Sequence, residues 1–278
     1  TLTFAHDRFA LWAPIVLSLG MTTLFLDLEY KLHVFRFYTS FEPTSPMSWG
    51  AWILVLIYPL MVVQILSTLR AGYPSLAKLL ERVPGGRALI DLCERRRRLI
   101  AMLVIPLAVG LGIYTGVLLS AVSARPFWNS GALGPLFLVS GRSTAAVLPI
   151  LAGVKPQERH FFETTDMGLI FVEIVLISVF LIGLATGARQ HMQGLELITG
   201  GPYTQPFWLW FVLPGLLVPI LFEFVGLRGR RAFGVAAALL VVYGGFMLRY
   251  LMVEIGQVST WSEYAIQFDP QLLQRLMQ

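Results

Sequence analysis

The stretch Leu99–Val122, LIAMLVIPLAVGLGIYTGVLLSAV, decides the fold. It carries no charge, and as an α-helix rising about 1.5 Å per residue it runs about 36 Å, enough to cross about 30 Å of hydrocarbon. Immediately before it stands the basic run Arg95–Arg98, which reads as the marker of a cytoplasmic helix end. On either side of it, six more stretches have spanning length: Phe9–Glu29, Ser48–Leu69, Leu133–Ala152, Met167–Gly187, Phe207–Leu227 and Ala232–Ile255. Several hold prolines, at 59, 106, 149, 214 and 219. Spanning helices tolerate these because neighbouring groups re-satisfy the freed backbone. The chain therefore reads as all-α, a polytopic bundle of seven transmembrane helices.

Composition agrees. Of 278 residues, 56% are apolar and 13% charged, with a mean hydropathy of +0.71; a soluble domain averages about 45–50% apolar and about 25% charged. The net charge of +5 does not indicate nucleic acid, because the basic residues cluster between apolar runs. With Thr1 in the cytoplasm, that side receives 14 of the 21 basic residues: Arg8, Arg70, Lys78, Arg82, Arg87, Arg95, Arg96, Arg97, Arg98, Lys155, Arg159, Arg228, Arg230 and Arg231. The other side receives 5, namely Lys31, Arg36, Arg125, Arg189 and Arg275. The expected topology is N-terminus in, C-terminus out. Residues 1–257 form the expected bundle, with residues 70–98 a cytoplasmic amphipathic loop of one or two short helices broken at Pro84-Gly85-Gly86. Residues 258–278 read as an interfacial tail on the outer face. The segment Thr1–Arg8 is short and polar, without the form of a cleavable signal.

Charges inside a bilayer are costly unless paired, so each is a functional candidate, although such groups also pair merely to join helices. Asp27, Tyr114, Arg125, Arg249 and Glu254 fall toward the outer ends of their helices and are candidates for one polar cluster. Arg142, Glu173, Glu223, Glu163 and Asp166 fall at mid-depth or toward the inner side. With Glu254 they are the candidates for a proton path. The four histidines (His6, His33, His160 and His191) lie outside the expected spans, so no axial pair for a membrane haem is supplied. One cysteine, Cys93, builds neither a disulfide framework nor a four-cysteine cluster. No phosphate-cradling or serine-nucleophile motif is present.

Three extramembrane stretches share the expected outer face. Residues 41–52, FEPTSPMSWGAW, stiffen the entry to the second span with two prolines, cap it with a serine and place two tryptophans at interfacial depth. Residues 124–130, ARPFWNS, set a cation, aromatics and an amide side by side, and Gly200-Gly201-Pro202-Tyr203 precedes the sixth span.

Taken together, the run Phe41 to Trp52, Tyr114-x-Gly116 followed by Arg125-Pro126-x-Trp128-Asn129, and the ending Arg249-Tyr250…Gly256-Gln257 resemble the polysulfide reductase membrane-subunit family (NrfD-type). Its relatives include the quinone-handling subunits of alternative complex III. The resemblance implies a bundle without haem or iron–sulfur cluster of its own. It would bind menaquinone or ubiquinone near the outer face and exchange electrons with a docked periplasmic iron–sulfur subunit. A molybdopterin enzyme or a multihaem cytochrome would stand in the same complex, in a bacterial inner membrane. Tyr114 matches the family tyrosine at the quinone, Asp27 resembles its acid, and Arg125, Trp128 and Asn129 match its motif, assigned here to the rim of the site or to partner docking. Arg249 is the candidate that tunes the acid. The family bundle has eight helices. The additional one, expected before Phe9, would give a histidine and an amide to the quinone and is not in this sequence; Arg142 also departs from the family pattern. Two other classes stay open: a secondary transporter or ion-conducting subunit, for which the sequence shows no internal repeat, and a pure membrane anchor without quinone.

Overall fold

A computed structural model of the chain describes residue 7, residues 9–39, 41–226 and 231–259, and residues 271, 274 and 275. Most of the expected interfacial tail, and Arg8, Arg228 and Arg230, lie outside these residues. The helices are α1 Trp12–Asp27, α2 Arg36–Thr39, α3 Pro46–Gly72, α4 Pro74–Leu80, α5 Gly86–Arg95, α6 Arg97–Ser120, α7 Leu133–Leu151, α8 Pro156–Thr186, α9 Arg189–Thr199, α10 Val218–Gly226 and α11 Arg231–Val258. A π-helical segment, Pro206–Leu217, runs directly into α10. Among the described residues there is no strand. Six helices, α3, α6, α7, α8, the π segment with α10, and α11, are long and apolar enough to cross a membrane. The seventh expected span is the shorter α1, whose 16 residues reach about 24 Å. The chain is a multi-pass membrane protein.

The chain divides into two compact units, Thr1–Tyr114 and Thr115–Gln278. In the first, α4 and α5 fold back along the end of α3, burying Leu69, Ala77 and Ile90 together. The turn between α4 and α5 needs glycine: Gly85 has φ +84°, and a side chain at Gly86 would strike the Leu80 carbonyl. That is the break expected at Pro84-Gly85-Gly86. Arg70 clips the loop to α3. Its Nε donates to Glu81 (2.8 Å), and its Nη1 donates to Asp91 (2.6 Å) and Glu94 (2.8 Å). Cys93 is buried here, and burial pushes its thiol pKa up, as suits an inert core cysteine. The expected serine cap at residues 41–52 takes another form. Ser45 at the N-cap makes no side-chain cap, and Ser48 Oγ instead accepts the Glu42 N–H at 3.0 Å. Trp49 donates to the Pro43 carbonyl, and Phe41 meets Trp49 and Trp52 edge-on.

In the second unit, α7 packs along α8 and α11, and α11 also receives α10 and the π segment. Phe127, Phe180, Phe207, Phe211, Leu248 and Ile255 are fully buried in its core. The π segment surrounds Pro214, a residue without an N–H whose ring crowds the preceding turn; the wider π turn accommodates both. Where this segment crosses α11, Gly215 faces Gly244, and a Cβ on Gly215 would lie 2.7 Å from the Gly244 Cα. Small residues let two membrane helices approach to this distance. Replacing Gly244 by Val should lower stability by about 1–3 kcal/mol, the usual cost of overpacking, measured as a fall in the melting temperature of the detergent-solubilised chain.

Candidate functional site

The motif Arg125-Pro126-Phe127-Trp128-Asn129 folds as a tight loop after α6, and it spends most of its polar groups on the C-terminal end of α11. The last carbonyls of any helix have no intrahelical donor. Here Arg125 Nη1 donates to the Gln257 carbonyl and, at 3.2 Å, to that of Ser259. Trp128 Nε1 donates to the Met252 carbonyl at 2.6 Å. The indole lies directly on Gly256, where any side chain would overlap it. Ser259 completes the clasp, its Oγ accepting the Phe127 N–H (3.3 Å) and donating to the Gly256 carbonyl (3.0 Å). Arg125 and Trp128 therefore act first as structural caps. Asn129 stays exposed, and no described residue bonds its side chain.

Tyr114 belongs to the first unit and lies near the end of α6, half-buried. Its ring is pressed against Gly50 of α3, in the space a Cβ would occupy. Its hydroxyl makes no hydrogen bond among the described residues. Asp27 closes α1 in the same unit and is exposed. Arg125, Arg249 and Glu254 belong to the second unit.

That second unit contains a line of buried polar groups. Arg159, Glu163, Asp166 and Glu173 recur along one face of α8 at i, i+4, i+7 and i+14. Asp166 is fully buried, and Glu223, Glu163 and Glu173 are 1, 3 and 4% exposed. At one end, Arg159 Nε pairs with Glu163 at 2.7 Å, and both side chains sit against Gly234 of α11, which leaves them room. Next, Asp166 accepts a 2.5 Å hydrogen bond from Ser143 of α7 and meets the carboxyl group of Glu223 of α10. Two turns on, Glu173 lies beside Ser140 of α7 and within electrostatic reach of Arg249 of α11. The Arg249 guanidinium is held by the Gly245 carbonyl (2.8 Å) and the Phe137 carbonyl (3.3 Å), and it stands over the Phe137 ring at 5.6 Å. Arg142 is exposed, about 100° around α7 from the buried Ser143, and does not join this line; Glu254 is half-buried nearer the clasp. Among the described residues, no three His, Cys, Asp or Glu gather as metal ligands.

Arg159, Ser140 and Ser143 were not singled out from sequence as parts of this line. For Arg159 the helical spacing was available, but a cation next to Lys155 reads equally well as a cytoplasmic charge. The serines carry no sequence signal at all, since hydroxyls are common in spanning helices. The clasp is testable directly. Trp128→Phe should cost about 0.5–1.5 kcal/mol, one net hydrogen bond, and should speed amide exchange at residues 256–259, read by mass spectrometry.

Known proteins share this sequence over nearly its whole length. A model of the polysulphide reductase NrfD family matches residues 7–260. The chain is 27% identical over 262 residues to the C chain of polysulfide reductase from Wolinella succinogenes, covering 89% of this chain and 80% of that one. It is 29% identical over 260 residues to protein NrfD of Escherichia coli, covering 88% and 80%. It is 24% identical over 264 residues to the C subunit of selenate reductase from Mesobacillus selenatarsenatis, covering 85% of this chain and 62% of the relative. A match that takes in both units, Tyr114 and the whole clasp leaves one conclusion: the chain belongs to the polysulphide reductase NrfD family.

Proposed function

We propose that this chain is the quinone-reactive membrane subunit of a multisubunit oxidoreductase in a bacterial cytoplasmic membrane. Menaquinol or ubiquinol rests against Tyr114, and electrons pass to an iron–sulfur subunit docked on the outer face, which serves a molybdopterin enzyme or a multihaem cytochrome. The observation that carries this reading is the Tyr114 hydroxyl. It is half-buried in the last two turns of a spanning helix, its ring is fixed against Gly50, and it has no partner among the described residues. A phenol so held is pre-organised to donate to a carbonyl oxygen of a diffusible ring, where a lost hydrogen bond has its full cost. Family membership, and relatives named as chains of polysulfide and selenate reductases, support the setting.

In this reading the two quinol hydroxyl protons leave one after the other through an acid near the outer face, for which Asp27 is the candidate, and pass from it to water. Both quinol electrons leave toward the docked subunit. Arg125 and Trp128 act as positioning residues that shape the outer loop, and the free amide of Asn129 is available to the partner. Arg249, held by two carbonyls, acts on Glu173 within the second unit.

The test is a quinone-analogue titration of the intact complex, followed by the iron–sulfur signal of the partner. The signal should shift as the analogue binds; an unchanged spectrum would identify the chain as an anchor. Tyr114→Phe should lower quinol-dependent reduction at least tenfold, about 1.4 kcal/mol of transition-state stabilisation, with the complex still assembled. Asp27→Asn should lower the same rate, measured by steady-state quinol oxidation.

A further inference from the structure

The geometry points to an exchangeable proton held between Asp166 and Glu223, at the centre of a proton-conducting line through the second unit. The two carboxyl groups lie beside each other in the buried interior of the second unit, one from α8 and one from α10, helices that pack together, and neither brings a donor. Ser143 satisfies one Asp166 oxygen, at 2.5 Å. The other Asp166 oxygen and both Glu223 oxygens find no donor among the described residues, and all three are out of contact with solvent. Two carboxylates cannot face each other in an apolar interior without a bridging positive charge, and among the described residues no arginine, lysine or histidine is placed between them. A single shared proton supplies the missing donor and removes one charge.

The groups on either side make this pair a station and not an isolated acid. Below it, Glu163 interacts with Glu223 and is paired to Arg159. Arg159 lines a cleft of about 580 Å³ with Ile150, Val154, Ala232, Val235 and Leu239. The cleft opens at the end of the unit that carries Lys155. Above the pair, Glu173 interacts with Asp166, with Arg249 and with Ser140. The Ser140 hydroxyl is 1% exposed and has no hydrogen-bond partner among the described residues. It is a free relay group beside Glu173, independent of the acids themselves. The line therefore runs from the Arg159 cleft through Glu163, the Asp166–Glu223 pair and Glu173 with Ser140, and ends at Arg249. Protons pass between neighbouring holding groups with no bond change elsewhere; from Asp166 to Glu173, two helical turns or about 10 Å along α8, the transfer needs a hydroxyl or water relay, for which Ser140 is the candidate. Proton storage follows from this geometry alone. Its use in serving a quinone couple rests on the function proposed above.

The experiment is infrared difference spectroscopy of the complex reconstituted in lipid, recorded without quinol during exchange into heavy water. The wild type should show a carboxylic-acid C=O band that shifts on deuteration. The band should be absent from Glu223→Gln and from Asp166→Asn, and it should shift several-fold more slowly in Glu163→Gln. A band that persists in both Glu223→Gln and Asp166→Asn, or an exchange rate unaffected by Glu163→Gln, overturns the proposal. Because no quinol is present, these results are independent of the Tyr114→Phe assay, and either reading can fail alone.

Discussion

Hydrocarbon offers no hydrogen-bond partner, and that constraint governs both the backbone and the buried side chains of this protein. It forces the spanning segments into helices, since an unpaired amide in lipid costs several kcal/mol. It also makes every helix end and every interior carboxyl a problem for a particular neighbour to solve. The clasp on α11 is one solution: Arg125 and Ser259 bring side chains to the Gln257 and Gly256 carbonyls, which the helix cannot satisfy itself, and Trp128 adds a donor to the Met252 carbonyl one turn earlier. At the loop end of α3, where water is within reach, Arg70 ties the α4–α5 loop to α3 through three carboxylates.

The same constraint gives meaning to the groups left unsatisfied. A native interior leaves few buried polar atoms without partners, so those that remain suggest a ligand or a proton. In the first unit the groups without a partner among the described residues include the Tyr114 hydroxyl, fixed by its packing on Gly50, and the Gln64 side-chain oxygen. In the second unit they include Glu223 Oε1 and Oε2, Asp166 Oδ2 and Ser140 Oγ, contributed by α10, α8 and α7. The two sets differ chemically. A lone phenol donor suits a carbonyl oxygen, whereas facing carboxyls suit a proton.

Glycine is the recurring device that brings these groups together. Gly50 admits the Tyr114 ring, Gly256 admits the Trp128 indole, Gly234 admits the Arg159–Glu163 pair, and Gly215 and Gly244 let the π segment approach α11. Each removes a Cβ at a helix crossing, where van der Waals packing has to replace the hydrophobic driving force that lipid does not provide.

Hydrophobic length and charge placement were enough to read the fold from sequence. Lipid-length apolar runs admit only helices, and the glycine pair at 85–86 admits only a turn. The first span is the partial exception: apolarity extends over residues 9–29, but the regular helix is Trp12–Asp27, because composition does not fix where hydrogen bonding stops. The candidate acids were equally legible, since any carboxyl in an apolar run stands out. Their grouping was not. Tertiary packing decided that Arg142 turns outward while Ser143, its neighbour, meets Asp166, and that Arg125 and Trp128 hold a helix end. A residue's chemistry is written in its own side chain, but its partners come from other helices, and which helices meet is set by how their surfaces pack.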